Sequence, residues 1–78
     1  MNFEAYKISD NNYQLFELGK CKRNWLASFN KLNTLLNYYI YCHNLSGDNI
    51  SFTGVQMTDN EMLLLNSMKS EWLINIVE

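Results

Sequence analysis

The chain has 78 residues, of which 47% are hydrophobic and 14% aromatic, and eight acidic and six basic side chains give it a formal charge of −2. So short a chain forms one small globular domain over residues 1–78 and buries too little surface to enclose a large substrate cavity. The sequence pI of about 5.2 argues against a general nucleic-acid binder, because such proteins present a basic surface.

The sequence shows no targeting or membrane segment. Residues 1–8 contain Glu4 and Lys7 and lack the apolar run of a signal peptide. No stretch approaches the roughly 18 apolar residues of a membrane span. We therefore expect a cytoplasmic protein without a membrane partner, in which Cys21 and Cys42 are reduced.

Two aromatic-rich segments near the start predict a β-hairpin. Phe3–Ile8 and Tyr13–Leu18 are rich in residues that favour strands. Ser9–Asn12 between them contains the Asp and Asn residues typical of a turn. A short helix over Tyr13–Leu18 that ends at Gly19 is the alternative.

Apolar side chains at spacings of three and four predict a long amphipathic helix in the middle of the chain. Asn24 would cap its start and Gly47 would end it. The apolar stripe consists of Trp25, Phe29, Leu32, Leu36, Tyr39, Ile40 and His43. The opposite side of this helix would carry Ala27, Lys31, Thr34, Tyr38 and Tyr41.

The last third of the chain predicts a strand and a helix. Ile50–Met57 reads as a strand with a break near Gly54. Thr58 and Glu61 have the spacing of a capping box at the start of a helix. Met62, Leu65, Met68, Trp72 and Ile76 then recur along one side. Because Trp72–Val77 also alternates as a strand does, this segment is either the end of the helix or a last strand.

These elements predict an α+β fold. Its parts are an N-terminal β-hairpin, one long amphipathic helix packed on a small antiparallel sheet, a third strand and a C-terminal helix. A mainly α domain is the alternative.

The reactive side chains form no catalytic or metal-binding pattern. A structural zinc site needs four Cys or His ligands, and the chain offers only Cys21, Cys42 and His43. A nucleophile needs a base and an orienting group, and no acid partner or oxyanion motif accompanies Cys21 and His43. We predict no enzymatic activity, no cofactor and no metal.

The predicted long helix carries the main candidate for a protein-binding surface. Tyr38 and Tyr41 lie one turn apart on its side away from the core. Tyrosine brings a large contact area at a low cost in rotamer entropy. Lys31 and Thr34 complete this predicted surface.

A secondary interface is predicted on the last helix. Leu63 and Ile74 point away from its apolar stripe. Such a pair suits a second binding surface or a contact between two copies, so both a monomer and a homodimer are compatible with the sequence.

These features favour a small non-enzymatic protein-binding module that inhibits or modulates a larger protein or protein complex. Phages and mobile elements encode small acidic domains of this general type as inhibitors of host machinery or defence systems, anti-CRISPR proteins among them. This is an analogy of type and rests on no motif. Such a protein would work in the cytoplasm of the host cell.

A nucleic-acid-associated regulator is the alternative function. It would use the basic residues Lys20, Lys22 and Arg23 together with aromatic side chains that stack on bases. So few cations make only a few phosphate contacts, and nucleic acid is therefore the less expected partner.

Overall fold

A computed structural model describes residues 2–42, 49–53, 57–72 and 74–77 as one sheet with two helices. The elements in chain order are β1 (Asn2–Ser9), β2 (Asn12–Leu18), β3 (Arg23–Phe29), α1 (Leu32–Cys42), β4 (Asn49–Thr53), α2 (Asp59–Trp72) and β5 (Ile74–Val77).

The sheet has five strands in the order β3-β2-β1-β4-β5. β2 is antiparallel to both β1 and β3, whereas β4 is parallel to both β1 and β5. Parallel neighbours cannot be joined by a tight turn and need a long crossover, and α2 provides that crossover between β4 and β5. The fold is therefore mixed α/β, and the predicted small antiparallel sheet is wrong.

The hairpin of β1 and β2 forms where the sequence predicted it. Seven residue pairs join the two strands, from Asn2 opposite Leu18 to Ser9 opposite Asn12. Asn11 in the turn has a φ of 63°, a left-handed conformation that asparagine tolerates better than most residues. The Asp and Asn residues of the turn are therefore enough to predict where the hairpin lies in the chain.

The predicted long helix is wrong in its first half, because residues 23–29 form β3 and α1 begins only at Leu32. β3 pairs with β2 from Arg23 opposite Leu18 to Phe29 opposite Tyr13. This pairing satisfies backbone groups along one edge of β2, so tertiary context decides the conformation. The mainly α alternative is wrong for the same reason, since half of the elements' length lies in strands.

The core lies between one face of the sheet and the two helices. Side chains alternate across each strand, and every second one on β1, β2 and β4 is buried. The buried apolar residues are Phe3, Ala5, Tyr13, Leu15, Leu32, Leu35, Leu36, Tyr39, Ile50, Phe52, Leu65 and Ile74. Leu32, Leu36 and Tyr39 are thus in the core as the helical stripe predicted.

The capping box at the start of α2 is confirmed. The Thr58 hydroxyl accepts a hydrogen bond from the backbone N–H of Glu61 at 3.2 Å. The Glu61 carboxylate accepts one from the backbone N–H of Thr58 at 2.9 Å. Two donors that the helix itself leaves unsatisfied therefore gain partners.

The segment Trp72–Val77 contains both the end of the last helix and a last strand. α2 continues to Trp72, and β5 takes Ile74–Val77. Within the described ranges, no helix is long and apolar enough to cross a membrane.

Tyr39→Ala is expected to lower the free energy of unfolding by about 3 to 5 kcal/mol, because a large buried side chain would leave a cavity. Tyr39 is fully buried, and its ring meets that of Phe3 edge-on with 6.0 Å between centroids. Tyr41 on the same helix is 84% exposed, so Tyr41→Ala should change stability by less than about 0.5 kcal/mol. Urea denaturation followed by circular dichroism measures both, and equal losses would contradict the orientation of α1.

Candidate functional site

The face of the sheet away from the helices is open in the part of the chain that the structure describes. Both helices pack against the buried face, so none of the described elements covers the other set of alternating side chains. We call this surface the open face; it includes Glu4, Tyr6, Gln14, Phe16, Leu18, Arg23, Trp25, Ser28, Ser51, Thr53, Asn75 and Val77.

Arg23, at the start of β3, joins three side chains of the open face. Its Nη1 donates to the Tyr6 hydroxyl at 2.7 Å and to Glu4 Oε1 at 3.3 Å. Its guanidinium carbon lies 5.5 Å from the Tyr6 ring centre and 5.2 Å from that of Phe16, within the range of a cation–π contact. The two rings also meet edge-on at 5.7 Å. These contacts are present within the chain without a partner.

The charge states within this cluster are stable near neutral pH. The hydrogen bond to Glu4 raises the pKa of Tyr6, and burial adds to that effect. The hydrogen bond to Glu4 also raises the pKa of Arg23. Tyr6 therefore remains a neutral donor and Arg23 a cation, whose charge the Glu4 carboxylate offsets.

Trp25 is the largest apolar side chain exposed on the open face, at 58%. Its Nε1 donates to Gln14 Oε1 at 2.7 Å, and the Ser28 hydroxyl donates to the same oxygen at 2.9 Å. Gln14 in turn donates through Nε2 to Asn12 Oδ1 at 2.7 Å. The polar edge of the indole is thus satisfied within the protein, while its apolar surface remains available for contact.

The predicted tyrosine surface lies on one side of α1. Tyr41, Lys31 and Thr34 are exposed, whereas Tyr38 is partly buried against Phe29, with 5.5 Å between ring centres. Because Phe29 belongs to β3, this side of α1 borders the β3 edge of the sheet. Tyr38 thus contributes packing between α1 and β3 as well as a part of this surface.

The secondary interface pair is separated by the structure. Leu63 is 68% exposed on α2. Ile74 is only 4% exposed, because it lies in β5 opposite Ile50 and faces the core. The assignment of Ile74 to a surface is therefore wrong, and Leu63 stands alone.

The residues of the nucleic-acid alternative lie at one end of β3. Lys20 and Lys22 are exposed in the β2–β3 connection, which the hydrogen bond from Gly19 N to Lys22 O closes at 2.8 Å. Arg23 begins β3 itself. Of the aromatic residues in the hairpin, Phe3 and Tyr13 are buried in the core. Tyr6 and Phe16 are instead on the open face.

Two of the reactive side chains considered for chemistry cannot be placed. His43 lies outside the described residues, as does the side chain of Cys42, and Cys21 carries an exposed free thiol. No group of three or more metal-binding side chains gathers among the residues with described positions. The expectations of no metal, no cofactor and no catalysis stay predictions.

A buried ion pair beneath the sheet forms a second polar cluster. Lys7 has a side chain only 3% exposed, and its Nζ lies 2.6 Å from Glu61 Oε1 and 3.6 Å from Asp10 Oδ1. The Tyr13 hydroxyl donates to the other Glu61 oxygen. Burial would raise the pKa of Glu61, but the hydrogen bonds from Lys7, Thr58 and Tyr13 prevail and lower it from 4.5 to about 2. This cluster is a structural link between the hairpin and α2.

A cavity of about 290 Å³ opens beside that cluster, at the starts of α1 and α2. Its walls are formed by Asn11, Tyr13, Asn30, Lys31, Leu32, Asn33, Asn60, Glu61 and Leu64. The Glu61 carboxylate in its wall already accepts hydrogen bonds from Lys7, Tyr13 and Thr58. The open face therefore has the stronger features of a binding site.

Comparison with known proteins returned no matching protein-family model, no matching curated protein and no matching solved structure. The function of the chain is therefore argued from its own surfaces.

Acidification is expected to destabilise the fold as pH falls from 4.5 towards 2. A carboxylate whose pKa is lowered by folding stabilises the native state above its unfolded pKa, and this stabilisation is lost as it becomes protonated. The change in the pKa of Glu61 corresponds to about 3 kcal/mol. Urea denaturation across this pH range measures the loss.

Glu61→Gln should lower stability at neutral pH and flatten this part of the pH profile, because Lys7 loses its nearest carboxylate. Asp59→Asn is the matched control, since Asp59 is exposed in the same first turn of α2. An unchanged acid transition in Glu61→Gln would show that other carboxylates cause it.

Proposed function

We propose that the chain is a small protein-binding module that docks through its open face on a larger protein or protein complex. The observation that carries this proposal is the exposed Trp25, held by Gln14 beside the fixed cluster of Arg23, Tyr6 and Phe16. Tryptophan, tyrosine and arginine are the residues that dominate binding energy at protein interfaces.

The surroundings of Trp25 support a protein as the partner. Neutral polar side chains lie beside these aromatic rings, including Gln14, Ser28 and Ser51, and protein interfaces combine aromatic contacts with polar side chains in this way. Glu4 offsets the charge of Arg23, so this centre does not offer the row of free cations that a phosphate backbone requires. The hydrogen bonds within the face reduce the entropy lost on binding.

We further propose that binding inhibits or modulates the partner by occupying its surface. Small size and a rigid exposed face support this mode of action, which requires no chemistry from the chain. It is the mode expected of small inhibitors encoded by phages and mobile elements, including those of the anti-CRISPR type. The place of action would be the cytoplasm of the host cell.

The second candidate is single-stranded nucleic acid, and one observation favours it. Tyr6, Phe16 and Trp25 lie on an open sheet face, and aromatic side chains on such a face can stack on bases. Lys20 and Lys22 at its margin are the accompanying cations.

Trp25→Ala is expected to weaken binding to the partner by at least about tenfold, or about 1.4 kcal/mol, because it removes the large exposed aromatic side chain of the face. Tagged wild-type, Trp25→Ala and Leu63→Ala proteins would be compared as baits in lysate of the source organism by quantitative mass spectrometry. The affinity of each identified partner would then be measured by calorimetry. Leu63→Ala, which removes an equally exposed side chain from α2, should bind as the wild type does.

Tyr41→Ala tests whether the side of α1 predicted from the sequence is the true centre of binding. If the partner no longer binds Tyr41→Ala but still binds Trp25→Ala, the binding surface is on α1, and the proposal of the open face is contradicted.

Binding of labelled oligothymidylate at physiological salt tests the second candidate, single-stranded nucleic acid. Tight binding that is lost with Phe16→Ala would replace the protein partner with nucleic acid.

A further inference from the structure

β3 is the outermost strand at one side of the sheet, and no strand among the described residues pairs with its outer edge. About half of the backbone N–H and C=O groups along Arg23–Phe29 therefore point away from β2. Such an edge can accept an additional strand, which gains affinity from main-chain hydrogen bonds and specificity from alternate side chains.

The chain concentrates its cations along this edge. Residues 20–31 hold four of the six basic residues and none of the eight acidic ones. Lys20, Lys22 and Arg23 lie at one end of β3, and Lys31 lies just beyond the other end. No described carboxylate forms an ion pair with any of the three lysines. A basic edge thus belongs to a chain whose net charge is negative.

This charge pattern favours one kind of binding partner for the edge of β3 over the others. A second copy paired antiparallel along β3 would place the Arg23 end of each strand near the Lys31 end of the other, and like charges across strands are destabilising. A nucleic acid would supply negative charge but lacks the alternating N–H and C=O groups that a strand edge pairs with. An acidic polypeptide supplies both.

We infer that β3 receives an extended acidic segment of the partner protein as an added strand. This inference rests on the proposed function, since it names the element by which the partner is held. Carboxylates of the segment pair with Lys20, Lys22 and Lys31. Apolar side chains at alternate positions reach the exposed surface of Trp25.

A bulge in β3 restricts where that segment can pair. Ala27 lies opposite Leu15 and Trp25 opposite Phe16, so Leu26 has no counterpart on β2. Bulges bend an edge strand and hinder indiscriminate pairing. The bulge divides the edge into two arms, Arg23–Trp25 next to Lys20 and Lys22 and Ala27–Phe29 next to Lys31, so only a segment that follows this bend pairs with both arms.

The test is an NMR titration of the ¹⁵N-labelled chain with a peptide as long as β3 in which glutamate and valine alternate. Saturable shifts of the amide signals of Arg23–Phe29, weaker at higher salt, are the expected result. A lysine–valine peptide of the same length should leave these signals unchanged. Equal shifts with both peptides, or none at β3 with either, would overturn the inference.

Charge reversal provides the matched variants. Lys20→Glu combined with Lys22→Glu should weaken binding of the glutamate–valine peptide about tenfold, whereas Lys69→Glu on α2 should leave it unchanged. Weakening by Lys69→Glu to the same extent would show a general charge effect and contradict a site at β3. Oligothymidylate that shifts the β3 amides more strongly than the acidic peptide would also overturn the inference.

These outcomes separate the inference from the proposed function. If the partner no longer binds Trp25→Ala but still binds Lys20→Glu combined with Lys22→Glu, the open face remains the binding site and the added acidic strand is rejected. The opposite result is that the glutamate–valine peptide binds β3 while Trp25→Ala binds the partner as the wild type does. It would support strand addition at β3 and reject the open face as the main contact.

Discussion

The structure depends on β1 being paired along both of its edges, antiparallel to β2 and parallel to β4. Because both neighbours fix the orientation of β1, the alternation of its side chains decides the two faces of the sheet. Phe3, Ala5 and Lys7 are turned towards the helices, while Glu4 and Tyr6 are turned to the open face. The core and the candidate binding surface are therefore two sides of one strand.

The two polar clusters have different consequences because they differ in burial. Lys7 and Glu61 are shielded and mutually paired, so they link secondary-structure elements and leave no charge available to a ligand. Arg23 and Glu4 are at the surface, where their pairing is weaker in water but still keeps neighbouring rings in place. The inner pair contributes to stability, and the outer pair contributes to the shape of a surface.

The elements set by local chemistry were predictable from the sequence, whereas β3, which is set by its pairing with β2, was not. The Asp10–Asn11 turn and the capping box of Thr58 and Glu61 depend on neighbouring residues. β3 was mistaken for a helix because Trp25, Phe29 and Leu32 happen to have helical spacing and the bulge at Leu26 breaks the strand alternation. That error hid Trp25 as a surface residue. Ile74 was placed on a surface because it was assigned to the last helix, although a last strand over Trp72–Val77 was the alternative. Exposure of Tyr41 and Leu63 was correctly predicted, since each lies on the side of its helix opposite the apolar stripe.

The parallel pairing of β1 with β4 also affects how the chain folds. It brings Asn2 next to Asn49, so most of the chain must be synthesised before the second edge of β1 can be covered. Contacts of such high sequence separation form slowly, and the hairpin can form long before them. In a nascent chain the second edge of β1 therefore stays unpaired until residues 49–53 arrive, and during that interval this strand is exposed to aggregation.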